Sequence, residues 1–251
     1  MQESALKHHK LISVCVGLLF LLVLQKFAVP EPIFRFLLPA FALYLIAAAA
    51  YNRWYLIQIQ KYNLWALILP ELLMAAAFGV FLVIPSQVLR GLFLISSVFV
   101  IALSEIILGN MSENLMVNQT LLVAFALFFA FFGAYFWIPT FEPLYLAGIF
   151  LASSLLARVF YEAVPQSAKT KLVGSITIGL FCGELFWVLN FLNFHFSVLS
   201  LILFNIFYFC LILNYYHLFH NLNFKKVQFH LLMIAFCSFI AVVATPWNIR
   251  P

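Results

Sequence analysis

Apolar runs of about 20 residues, each cut by a short polar or proline-marked turn, recur from residue 11 to residue 246. As a helix, a run of that length crosses about 30 Å of hydrocarbon. The runs are apolar all round: residues 121–132 read L-L-V-A-F-A-L-F-F-A-F-F, without the alternation a transmembrane β-barrel needs. The composition agrees, with 66% of the 251 residues hydrophobic and 8% charged. A soluble domain carries about 25% charge, so lipid is the solvent that suits this surface. The expected fold is all-α, a polytopic bundle of about nine spans in one integral membrane domain over residues 1–251. The spans are predicted at 11–29, 33–52, 63–84, 88–109, 117–138, 143–163, 170–192, 196–220 and 226–246.

The turns at 30–32, 85–87 and 139–143 carry prolines, which lack the N–H a helix requires, and 193–195 is equally short. The connections near 53–62, 110–117, 163–170 and 221–226 are longer and more polar. Together they predict four hairpins and a ninth helix. Net charge is +5. With the N-terminus on the cytoplasmic side, Lys7, Lys10, Arg53, Lys61, Arg158, Lys169, Lys171, Lys225 and Lys226 lie inside, against Lys26, Arg35, Arg90 and Arg250 outside. That asymmetry predicts N-in and C-out in an inner, cytoplasmic membrane. The basic residues sit in loops facing lipid headgroups, so lipids and not nucleic acid are the expected partners. Residues 7–24 imitate a signal peptide, but no small-residue cleavage site precedes Pro30, which predicts an uncleaved first span. Cys15, Cys182, Cys210 and Cys237 fall inside apolar runs and read as small hydrophobes. No internal repeat is visible, and the 31 phenylalanines read as lipid-facing bulk and helix packing.

Ionisable groups within a span cost on the order of 3 kcal/mol at its centre, so they are the first functional suspects. All eight acids are glutamates. Glu71 follows Pro70 and shares a helix face with Ala75 and Gly79. Glu105 lies near the same predicted membrane side. Each reads either as interhelical glue or as an ion or proton site. Arg158 and Glu162 stand one turn apart and can pair, and Arg158 has Glu105 as an alternative partner. His217 and His220, three apart, make half a metal site at most; snorkelling at the membrane surface explains them more simply. No cofactor motif is present, and no metal site is expected.

The stretch 179–195, G-L-F-C-G-E-L-F-W-V-L-N-F-L-N-F-H, holds a carboxylate in an apolar helix. A helix advances about 100° per residue, which aligns Ser175, Gly179, Gly183 and Asn190 as a helix-packing face. Glu184 and Thr177 form an adjacent polar face. Asn205 of the next span comes at a similar depth and is the expected cross-helix partner of Glu184. Glu184, Thr177, Asn205, Glu71 and Glu105 are thus the candidate substrate or proton-site residues.

Several enzyme classes do not fit. Intramembrane aspartyl proteases and ceramidase-like hydrolases need aspartate, and there is none. CAAX-type proteases carry adjacent glutamates, also absent; His217-x-x-x-Asn221 matches only their last motif. No G-x-S-x-G, Walker loop or H-E-x-x-H occurs. Residues 184–192, E-L-F-W-V-L-N-F-L, then a short turn, an apolar span, a basic connection and a last span ending in Thr245-Pro246-Trp247, resemble a family of uncharacterised polytopic bacterial membrane proteins. The resemblance covers roughly the last 80 residues and implies a bacterial inner-membrane setting but no activity. Three functions remain: a transporter or lipid-translocation protein, a non-catalytic subunit or scaffold meeting other membrane subunits, and a lipid-modifying enzyme using Glu105, His217 and His220.

Overall fold

In the computed structural model of the chain, the described residues are 2–27, 34–58, 64–84, 86–107, 113–137, 142–163, 166–192, 194–218 and 224–244. Among them run nine α-helices: α1 (Gln2–Phe27), α2 (Phe34–Gln58), α3 (Leu64–Val83), α4 (Gln87–Ile107), α5 (Glu113–Trp137), α6 (Glu142–Phe160), α7 (Ala168–Leu189), α8 (Phe196–Leu218) and α9 (Phe224–Ala244). A single 3-10 turn, Tyr161–Ala163, follows α6. Five of these helices, α4 to α8, are long and apolar enough to cross a membrane, and shorter apolar stretches lie in α1, α3 and α9. The architecture is a helical bundle consistent with a multi-pass membrane protein. One boundary differs from the sequence expectation in a way that matters. Residues 53–58, assigned to a polar connection, continue α2, because Tyr55 and Leu56 keep its buried face going past Asn52.

The described residues fall into two compact units, 1–115 and 116–251. In the first, α1 packs on α4, and α3 on α2 and α4. Both α1 and α4 are inside-out relative to a soluble helix. His9, Ser13, Gly17 and Phe20, spaced three or four apart, face inward on α1, while Leu11, Val14, Leu18 and Leu22 are exposed. On α4, Ser97, Ser104 and Glu105 are buried while Val88, Leu92, Ile95 and Phe99 are exposed. Water would penalise that arrangement; lipid does not. Close approach of α1 to α4 depends on Gly17, where a Cβ would stand 3.2 Å from the Val98 carbonyl oxygen. Tyr44 ties α2 to α1 by donating to the Val16 carbonyl at 2.8 Å. The α3–α4 turn is closed by Arg90. Its Nε and Nη2 donate to the Ile84 carbonyl at 3.1 and 2.6 Å, satisfying an oxygen left free at the end of α3.

In the second unit, α6 and α7 are the most intimately packed pair. Ser175, Gly179 and Gly183 of α7, and Asn190 at its C-cap, are buried. A Cβ on Gly179 would overlap Ser154 Oγ and lie 2.8 Å from the Phe150 carbonyl oxygen; on Gly183 its nearest neighbour would be Phe150 Cβ at 3.8 Å. Helix α5 meets its neighbours through rings instead: Phe128 on Phe207 at 5.4 Å, Phe129 on Phe196 at 5.1 Å and Phe132 on Phe186 at 4.5 Å. All of Phe128, Phe132, Phe186 and Phe207 are fully buried. The α7–α8 turn is pinned by His195, whose Nδ1 accepts from Ser197 Oγ at 2.7 Å and from the Ser197 N–H at 3.4 Å. Helix α9 is held to α8 by three polar contacts. Asn205 Nδ2 donates to Ser238 Oγ at 2.9 Å, and the Tyr208 and Tyr216 hydroxyls meet the two nitrogens of His230 at 3.1 and 3.4 Å.

Candidate functional site

The densest buried polar cluster described lies within the first unit, around Asn52. That residue sits on the inward face of α2, one turn beyond Ala48, and is 1% exposed. Its amide donates one hydrogen to Glu71 Oε1 of α3 at 3.2 Å and the other to Glu105 Oε1 of α4 at 3.0 Å. Two carboxyl groups from different helices therefore share one donor nitrogen. Glu71 stands in the turn after Pro70, whose missing N–H leaves the Ala66 carbonyl without its helical donor.

His9 of α1 completes the arrangement. Its Nε2 lies 2.8 Å from the Glu105 main-chain oxygen, which can only accept, so Nε2 carries the hydrogen. Glu105 is in the last turn of α4, where carbonyls lack an intrahelical partner, and His9 thus caps that helix. Nδ1 is then the acceptor in the neutral ring, facing the Tyr51 hydroxyl at 3.3 Å. The His9 ring stacks on Tyr55, centroids 3.5 Å apart and planes 7° off parallel. His9, Tyr55 and Glu105 are each 1% exposed.

Four buried oxygens in this cluster have no hydrogen-bond partner: Asn52 Oδ1, Tyr55 Oη, Glu71 Oε2 and Glu105 Oε2. Buried polar atoms are usually satisfied, so three orphans on two carboxyl groups and the amide that joins them, with a fourth on the ring stacked on His9, are exceptional. The chemistry they suit is that of a small cation or of protons. Two carboxylates in an apolar bundle need positive charge or protonation, and the cluster has only oxygen to offer beyond the bonds already made.

The other candidates are placed differently. Glu184 is exposed and borders an apolar groove with Leu146, Ala147, Phe150, Leu180, Gly183 and Trp187. It does not meet Asn205, which is committed to Ser238. The expected pair fails because Asn205 faces α9, whereas Glu184 stands one helical step round from Gly183, at the rim of the contact with α6. Thr177 is exposed and donates back to the Val173 carbonyl at 3.0 Å within its own helix. Arg158 pairs with Glu162, which also meets Lys171 Nζ at 3.6 Å. His217 is exposed on α8; His220 lies outside the described residues, as do Thr245, Pro246 and Trp247. Among the described residues no three His, Cys, Asp or Glu side chains gather in a metal-binding group.

No protein-family model, curated protein or solved structure matches this chain. The reading of its site therefore rests on its own geometry. Sequence reasoning singled out Glu71 and Glu105 but missed His9, Asn52 and Tyr55. The available signal was the spacing of Ala48, Asn52 and Tyr55 on one helix face, which places an amide where the pattern calls for an apolar residue.

Proposed function

We propose that this chain is a multi-pass transport or translocation protein of a bacterial cytoplasmic membrane, with the Glu71–Asn52–Glu105 cluster as the point where a proton or monovalent cation is taken up and released. The observation that carries the proposal is a pair of buried carboxyl groups joined by one amide, in which Glu71 Oε2, Glu105 Oε2 and Asn52 Oδ1 all lack a partner. Acids within a membrane-spanning bundle are costly, and those retained there commonly belong to ion or proton pathways. The excess of Lys and Arg on alternate loops supports an N-in orientation. The resemblance of residues 184–192 to bacterial membrane proteins supports the setting.

The test uses the full chain in sealed phosphatidylcholine vesicles, loaded with a pH-sensitive dye under an imposed proton gradient and, separately, with a sodium-sensitive dye under a sodium gradient. Wild-type protein should dissipate one of these faster than empty vesicles. Glu105→Gln and Glu71→Gln, near-isosteric and still able to accept from Asn52, should reduce that rate at least tenfold. Equal flux through wild type and both variants would overturn the assignment, as would flux no faster than in empty vesicles.

A second reading, a subunit of a larger membrane assembly, draws on the groove beside Glu184. An exposed carboxylate at the rim of an apolar groove suits a partner helix bearing a hydrogen-bond donor. Co-purification of a second chain in mild detergent, lost in Glu184→Leu, would support it; recovery of this chain alone would oppose it.

A further inference from the structure

A second polar site lies in the other unit, remote in sequence from the carboxylate cluster. Tyr161 of the 3-10 turn, Lys169, Thr170, Val173 and Gly174 of α7, and Asn214 and His217 of α8 line a cleft of about 430 Å³. The cleft sits at the N-terminus of α7. Ser167 caps that helix, its Oγ accepting from the Thr170 N–H at 3.2 Å, and its carbonyl accepts from the Lys171 N–H at 3.1 Å. The amides of Ala168 and Lys169 remain without a partner inside the helix, and the helix dipole places positive potential at this end.

The floor of the cleft supplies an independent observation. Tyr161 is 1% exposed, yet its hydroxyl has no hydrogen-bond partner. Its ring is drawn against α7 by Gly174, where a Cβ would stand 3.1 Å from the ring. Tyr161 and Gly174 both line the cleft, and the hydroxyl, 3.5 Å from where a Gly174 Cβ would stand, makes no bond that accounts for it. The charge balance is equally one-sided. The single nearby acid, Glu162, is already engaged by Arg158 and Lys171, and Lys169 is exposed with no ion pair among the described residues. Thr170 Oγ1 already bonds Ser167 Oγ at 2.9 Å and the Asn214 amide donates to the Cys210 carbonyl at 2.9 Å, so the groups of the lining left to meet a ligand are the Lys169 ammonium, the Tyr161 hydroxyl, the His217 imidazole and the helix N-terminus.

We propose that this cleft binds a phosphate group, presented by an anionic lipid headgroup or as free phosphate, with the Tyr161 hydroxyl and the Lys169 ammonium as its side-chain donors. Helix N-termini flanked by a lysine are suited to such anions because backbone dipole and side-chain charge act on the same oxygens. The site does not depend on the carboxylate cluster being a transport site.

The test is native mass spectrometry of the full chain in detergent, titrated with dihexanoyl phosphatidic acid, with inorganic phosphate, and with dihexanoylglycerol as the phosphate-free control. Phosphatidic acid should bind at one site per chain, and dihexanoylglycerol at least tenfold more weakly. Tyr161→Phe should weaken binding about tenfold and Lys169→Ala about fivefold. Because the hydroxyl makes no bond in the unliganded chain, Tyr161→Phe should melt at or above the wild-type temperature, which separates a binding role from a structural one. Competition by inorganic phosphate identifies the free anion as a sufficient ligand; phosphatidic acid binding without such competition identifies the lipid headgroup. Wild-type affinity in both variants, or equal affinity for dihexanoylglycerol, would overturn the proposal.

Discussion

Replacing Gly179 by alanine adds one methyl group at the tightest point between α6 and α7. That methyl would meet Ser154 Oγ, the end of a side chain that can rotate away, and the Phe150 carbonyl oxygen at 2.8 Å, which belongs to helix backbone and cannot. Relief requires the two helices to part by some tenths of an ångström, loosening contacts along the whole face. Overpacking of this kind costs about 1–3 kcal/mol. Alanine returns about 0.5–1 kcal/mol through its better helix propensity. The net loss is then about 0.5–2 kcal/mol, and the melting temperature should fall by about 1–8 °C. Gly183, one turn on, is the internal control: its nearest neighbours would be Phe150 Cβ at 3.8 Å and the Leu146 carbonyl oxygen at 3.9 Å, ordinary contact distances. Gly183→Ala should leave the melting temperature unchanged or raise it. Cys182, fully buried between these glycines, serves as reporter in a chain whose other cysteines are replaced by alanine: a thiol-reactive fluorophore labels it only as the bundle opens. A Gly179→Ala variant as stable as wild type, or a Gly183→Ala variant destabilised as much, would refute the packing argument.

Asn52→Ala should cost about 1–3 kcal/mol in the same melt, since it leaves two further carboxyl oxygens without a donor; an unchanged melt would show that the bridge contributes nothing. Arg90→Lys keeps the charge but loses the fork on the Ile84 carbonyl, and should lower stability by about 1 kcal/mol in a denaturant titration. Burial holds the His195 ring below its ordinary value of 6.5. The unfolded chain therefore binds more protons than the folded one near that pH, and this group's contribution is complete above 6.5 and declines as the pH falls. Protonation at Nδ1 would also remove the acceptor for the Ser197 N–H and hydroxyl. His195→Asn should flatten the fall in melting temperature on acidification from about pH 7 to about pH 5; an equally steep fall would show that His195 is not its source.

The helices were legible in the sequence because lipid imposes a length and an unbroken apolar character that no other solvent requires. Glu71 and Glu105 were legible individually for the same reason: an acid in such a run has no ordinary explanation. Their association was not, because it passes through Asn52, which precedes Arg53 and reads as the last residue of its span, where a polar side chain meets headgroups. His9 was hidden likewise in a basic segment that resembles a leader. The misassigned pair, Glu184 with Asn205, marks a limit of a different kind. Periodicity ranks residues around one helix, but it does not say which neighbour stands opposite. Asn205 turned toward α9, and Glu184 borders a groove walled by apolar residues of α6.

Asn52 has two amide hydrogens, and both are committed. Release of either one takes a donor from a buried carboxyl group, so three helices are joined by a fork whose prongs cannot be reassigned one at a time without orphaning an acid. Any shift of α3 against α4 is therefore registered first as a choice by Asn52 between two carboxyl groups. The joint has a discrete number of states, both prongs held or one released.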